Sequence, residues 1–457
     1  MPPRRTWIIA VLALFLLGAG LWWWLSPMAF VTRVIAAGGE EAVVLSRQNT
    51  DRSTSFWLSL QSADGLAWVH RVSGEAWDVS GEGITVSPQR VTYLMQAEQE
   101  LSVVGLDRET GAVVWTTSLG KAGDRTLSTW LYAPVRAVGD TLLVPYGTVD
   151  GQLAALNLSD GALRWREALS STTELLEDGG EHVWLKNGDH HDLETLRLSD
   201  GVRTLHSDAA FNQCLLDGAI YTVRDDALVR LHPSDGPAPI PLPVDGARLH
   251  ACGTHDGAMI LTLSVEQQTV LARIVDGGVT AVLSMDWPHQ SGGPNGRIAK
   301  FDQSNHALKG AMTRFLPLMF SAMDSDIDTL RWIVVDLTDL TITAEATPQH
   351  DYLYFEQIRS GGMHYFWYHG GLLIAVDGET GLLSGAIQGG RSFDGRSVAD
   401  GVVWMPGEGS EGWQAPRHPA VVWLDGETLA PLGATGKTDA FQPAHDVVTE
   451  LTGWPLP

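Results

Sequence analysis

Along most of the chain, short runs of alternating apolar and polar residues are closed by turn-forming residues. The stretch "DGQLAALNLSDGALRW" (150–165) shows the unit. Leu153-Ala154-Ala155-Leu156-Asn157-Leu158 meets Ser159-Asp160-Gly161, and a second short run ends on Trp165. A period of two gives a strand one packed face and one wet face. The polar residue ahead of the turn can bond the backbone, and glycine takes the φ > 0 position. The pattern predicts a hairpin, which buries too little to be stable alone.

The unit recurs. "LSVVGLDRETGAVVW" (101–115) has the same layout, with Trp115 four residues after Gly111 as Trp165 is after Gly161. Weaker copies turn at Gly65, Gly201, Gly236, Gly277 and Gly381. Two keep the shape without the glycine, around Leu340 and Leu429. Successive turns are 35 to 63 residues apart, with a mean near 45. Ahead of most hairpins lies another strand pair with its own turn, as in "VRAVGDTLLVPYGTVDG" (135–151). Four short antiparallel strands in about 45 residues make one propeller blade. A β-sandwich would lack this self-similarity. The expectation is an all-β propeller of four-stranded blades. Eight blades are predicted from nine turns, the first and last being combined or irregular, with strands from the two ends paired to close the ring.

The N-terminus breaks the pattern. Residues 7–25, "WIIAVLALFLLGAGLWWWL", carry no charge and are long enough to cross a bilayer. Arg4 and Arg5 precede them, which places the N-terminus in the cytoplasm. A cleaved signal peptide fits less well, because the run is long and "SPMAF" offers no small-x-small site. The reading divides the chain into a cytoplasmic tail (1–6), a transmembrane helix (7–25), a linker (26–40) and a propeller (41–457). It expects a single-pass protein of the inner, cytoplasmic membrane with its propeller in the periplasm. A formal charge of −24 repels nucleic acid and anionic headgroups, so a nucleic-acid partner is excluded.

The pattern apolar–Asp/Asn–x–x–Thr/Asp–Gly–x–x–x–Trp resembles the PQQ-type propeller repeat. It is complete at Asp107–Thr110–Gly111–Trp115 and near-complete at Asn157–Asp160–Gly161–Trp165. Asp377–Thr380–Gly381 has Gly385 in the tryptophan's place, and Asp425–Thr428 lacks both glycine and tryptophan. The repeat occurs in quinoprotein alcohol dehydrogenases and in the non-enzymatic propeller lipoprotein of the outer-membrane β-barrel assembly machinery. The resemblance implies that Trp115 and Trp165 dock between blades. Its enzyme branch would require a Ca²⁺ site of Glu, Asn and Asp, a catalytic Asp, and commonly two adjacent cysteines. No such set is identified here, so the chain is placed closer to the non-enzymatic branch. The expectation is a non-catalytic, protein-binding scaffold without a cofactor, in cell-envelope assembly and with an unidentified protein partner. The alternative is a degenerate quinoprotein or another propeller that binds small molecules or glycans.

Other candidate chemistry is thin. Cys214 and Cys252 lie three and four residues before Asp-Gly turns, in similar places of neighbouring units, and either bridge or stay as two buried thiols. "DHHD" (189–192) reads as a solvated turn. "HYFWYH" (364–369) is aromatic on both faces and reads as a packed inner strand rather than a binding platform. "HACGTH" (250–255) places His250, Cys252 and His255, three potential metal ligands, within six residues and reads as a loop. Two long loops, 286–310 and 406–419, are candidate docking segments. In the second, Trp413 and Arg417 are the residue types that dominate protein interfaces.

Overall fold

The computed structural model describes strands and turns between residues 29 and 443. The segments 1–28, 73–82, 122–134, 287–311, 347–354, 389–396, 407–420, 435–441 and 444–457, with shorter stretches between strands, lie outside the described residues. The described part is all β and forms nine antiparallel sheets. In chain order these blades span 29–72, 84–121, 136–169, 173–207, 213–241, 248–286, 315–346, 355–388 and 397–434. In all but blade 7 the four consecutive strands lie side by side in sequence order. First strands touch between blades 1 and 2, 2 and 3, 5 and 6, 8 and 9, and 9 and 1, which places them innermost and the fourth strands of those blades outermost.

The core lies between the blades. Leu143, Leu153 and Ala155 of blade 3, for example, pack on Leu175, Val183 and Leu196 of blade 4. Second and third strands have neighbours on either side and are buried along most of their length, as at Gly151–Asn157, where Gln152 is exposed and Asn157 half-buried. The fourth strands face outward and return to alternation, as at Leu163–Leu169.

Three sequence expectations are corrected. The ring has nine sheets among the described residues, not eight, because each of the nine turns belongs to a blade of its own. Residues 26–40 are not all linker. Ala29–Gly38 is the first strand of blade 1, with Val34 and Ala37 buried. Blade 1 therefore needs no strand from the other end. The ring closes by side-chain packing of Val34, Ala42 and Val44 on Val402, Val421 and Trp423 of blade 9. The late strand Gln442–Pro443 pairs instead with the outer strand of blade 8, as a fifth strand.

Two blades depart from the pattern for visible reasons. In blade 5 the fourth strand is only Ile240–Pro241, within "PAPIPLP", where prolines cannot donate to a ladder. In blade 7 three strands are described, and the Asp336 turn marks them as the second to fourth. Among the described residues no helix is long and apolar enough to cross a membrane, and the predicted helix at 7–25 lies outside them.

Candidate functional site

The most regular side-chain arrangement is a latch between successive blades, built from the turn upward. In blade 2, Asp107 Oδ1 accepts hydrogen bonds from the Thr110 amide (3.0 Å) and hydroxyl (2.9 Å), and the Gly111 amide donates to Asp107 O (2.9 Å). The two bonds from Thr110, the hydroxyl's first, hold the Asp107 carboxyl below its usual range. In blade 3, Asn157 takes the place of Asp107 and accepts from Ser159, while Asp160 accepts from the Ala162 amide at 2.9 Å.

The turns of blades 2, 3 and 4 each present their glycine to a tryptophan of the preceding blade. Trp115 Nε1 donates to Leu158 O (3.2 Å), and a Cβ on Gly161 would lie 2.5 Å from the indole. With φ at +72°, Gly161 is thus required both by its backbone and by the ring above it. Trp165 repeats the contact one blade on, donating to Leu198 O at 2.8 Å and covering Gly201. Trp68 makes it one blade earlier, donating to Arg108 O at 2.7 Å and covering Gly111. All three rings are 8 % exposed. The sequence reading named Trp115 and Trp165 and missed Trp68. Trp68 follows Gly65 by three residues rather than four, and the carrier of the signal was the turn of the next blade.

From blade 4 onward other devices join the blades. Cys214, in the first strand of blade 5, and Cys252, in that of blade 6, form a disulfide with Cα atoms 5.9 Å apart. Between blades 7 and 8, His364 Nε2 lies 3.1 Å from the Thr313 hydroxyl. Burial, reinforced by the Arg359 charge, lowers the His364 imidazole to about 3. Between blades 8 and 9, Tyr365 donates to Gly426 O at 2.8 Å. His364, Tyr365 and Phe366 are all buried, in a strand flanked on both sides.

"HACGTH" is not a loop but part of the strand Arg248–His255, and its residues do not converge. Cys252 is bonded to Cys214, His250 Nε2 meets the Ser264 hydroxyl at 2.7 Å, and His255 Nδ1 faces Met312 O at 3.2 Å. Among the described residues no three His, Cys, Asp or Glu side chains are grouped to hold a metal ion. The cysteines, separated by 38 residues and bonded across two blades, also do not make the adjacent pair of a quinone site. Trp413, Arg417 and "DHHD" lie outside the described residues.

Comparison with known proteins bears on the same blades. Residues 29–179 match the family described as "Outer membrane protein assembly factor BamB". Blades 1 to 3 are PQQ-type propeller blades. The match ends beside the first strand of blade 4, where the series of latch tryptophans also ends. No curated protein sequence matches the chain. Among solved structures the chain is similar to BamB from Moraxella catarrhalis, at 12 % identity, covering 86 % of this chain and 97 % of that one, with a TM-score of 0.42. A europium-containing methanol dehydrogenase is similar at 10 % identity, covering 86 % and 84 %, with a TM-score of 0.37. Both scores lie below 0.5, so the assignment rests on the PQQ-type repeats and the family match.

Proposed function

We propose that the chain is a non-catalytic, protein-binding propeller scaffold of the cell envelope, held to the inner membrane by residues 7–25 with its blades in the periplasm. The observation that carries this reading is the match of residues 29–179 to a family named for outer-membrane protein assembly. The use of tryptophan supports it. A quinone would need a flat aromatic floor, whereas Trp68, Trp115 and Trp165 have their faces on turn glycines and their N–H groups on carbonyls of the next blade. Fully committed in this way, the rings hold blades at fixed angles, which suits a rigid platform that presents loops and edges to a partner. Photo-crosslinkers placed around the blades in intact cells test the reading. Reproducible capture of one partner supports it, and the absence of any captured protein overturns it.

A further inference from the structure

Among the described residues every blade but the eighth ends on its fourth strand, whose outward backbone groups form an edge, a template for pairing with another chain. Most of these edges carry a blocking device. Arg71, Arg164, Arg203 and Glu345 put charges into the outer strands of blades 1, 3, 4 and 7, and Pro241 and Pro431 cut short those of blades 5 and 9. In blade 2 the outer strand slips register at two places. In blade 8 the end of the edge, Ile387 and Gln388, is covered by Gln442–Pro443.

Among the described residues blade 6 has no such device. Its fourth strand, Gly278–Asp286, reads "GVTAVLSM" before the final aspartate, with neither charge nor proline. It pairs along its length with Gln268–Val275, slipping once beside the turn, and the sheet ends on it. Ala281, Leu283 and Met285 pack toward blade 7 and hold the strand in place. Val282 is 42 % exposed. A long, uncharged, well-supported edge is what pairing requires and what an unpartnered protein avoids.

We propose that Gly278–Asp286 is a docking edge that takes an extended segment of a partner protein as the fifth strand of blade 6. The proposal rests on the scaffold reading and names the surface it uses. The molecule already accepts an antiparallel fifth strand at the same place on blade 8. Charge selects the occupant. A second copy would bring another −24, whereas a strand with lysine or arginine at alternate positions is attracted. Asp276 stands in the turn at one end of the edge, and Arg273 of the neighbouring strand donates to the Thr280 hydroxyl at 3.3 Å. Apolar residues on the strand's other face would meet Val282.

The test uses the full chain and a labelled ten-residue peptide alternating lysine and valine, followed by fluorescence anisotropy. A peptide N-methylated at alternate residues keeps the charge and loses the ladder, and is expected to bind about tenfold more weakly or worse. Val282→Pro should weaken the parent peptide similarly, and amide exchange at residues 279–285 should slow only with that peptide. Equal binding of the two peptides would mean charge attraction alone and would overturn the proposal. A dimer in sedimentation of the protein alone, abolished by Val282→Pro, would overturn it in favour of a second copy. Crosslinking in cells separates the two readings. Capture from other blades but not from position 282 sinks the edge and leaves the scaffold. Peptide pairing at the edge with no capture anywhere sinks the scaffold and leaves the edge.

Discussion

Gly385 of blade 8 packs against Leu429 of blade 9, reversing the large-on-small arrangement by which Trp115 covers Gly161. A Cβ on Gly385 would lie 3.1 Å from Leu429 Cγ and 2.5 Å from the carbonyl oxygen of Thr428. Here the first partner is small, the second is large, and the approach continues until backbone meets side-chain position. Leu429 sits at φ +56°, a conformation that costs a residue with a Cβ roughly 1–2 kcal/mol, and its complete burial offsets that cost. Leu340 does the same in blade 7, at φ +57° and 3 % exposed.

Gly385→Ala should therefore destabilise the fold by about 1–3 kcal/mol, as overpacking does. Adding Leu429→Gly should not restore stability, because the nearest obstruction is the Thr428 carbonyl and not the leucine. Urea unfolding of the single and double variants checks this. Full recovery in the double variant would place the constraint in the leucine instead.

Trp165→Ala should cost about 3–5 kcal/mol, in line with other aromatic truncations in a core. Trp165→Phe should cost less, since it keeps most of the apolar contact with Gly201 and gives up the bond to Leu198 O, worth roughly 1 kcal/mol. Trp68→Ala should behave like Trp165→Ala if the latch is one repeated device. Thermal melts of the three variants decide it, and an unchanged melting curve for Trp165→Ala would remove the latch role.

The hairpins were legible in the sequence because their signal is local. Asp107, Thr110, Gly111 and Trp115 stand within nine residues, and the turn they form is the same turn in isolation. The blade count was less legible. Whether a hairpin owns a blade or shares one depends on strands such as Ala29–Gly38, whose "AFVTRVIAAG" has no turn motif to announce it. The joints beyond blade 4 were hidden for a different reason. Thr313 and His364 are 51 residues apart, and neither belongs to a repeating pattern. Leu429 looked like a lost motif because φ > 0 is read from glycine, and tertiary burial can hold a leucine there.

The disulfide ties the innermost strands of two blades where no tryptophan latch is described, so its loss should be felt by the whole ring. Cys214→Ser or Cys252→Ser should lower stability by about 2–4 kcal/mol, the usual value for a native bridge. Reductant should lower the melting temperature of the wild type and leave that of the double serine variant unchanged. Equal responses would show that the bridge does not form in solution.

Adding PQQ and Ca²⁺ to the purified protein should leave its melting temperature unchanged, because among the described residues no three His, Cys, Asp or Glu side chains are grouped to hold a metal ion. A stoichiometric upward shift, of the size expected for a ligand well above its Kd, would restore a quinone-binding function. The same titration on Trp115→Ala would then show whether a latch ring takes part.

The His364 imidazole makes stability fall on the acid side of neutrality. It is 1 % exposed, its Nδ1 has no hydrogen-bond partner, and burial together with Arg359 lowers its pKa to about 3. An unfolded histidine titrates near 6.5, so the unfolded chain binds the proton first as pH drops. The contribution of a neutral His364 is thus complete above about pH 6.5 and is lost progressively toward pH 3. The carboxyls of Asp107 and Asp425, held low chiefly by their bonds from Thr110 and Thr428, act in the same direction but only below the ordinary aspartate range near pH 4. Between about pH 6 and 5 the slope belongs mainly to buried histidine. His364→Gln should keep a polar contact to Thr313 and flatten the melting temperature in that interval, with no change in the steeper fall below pH 4. Identical slopes in wild type and variant from pH 6 to 5 would show that His364 takes up its proton without unfolding the joint between blades 7 and 8.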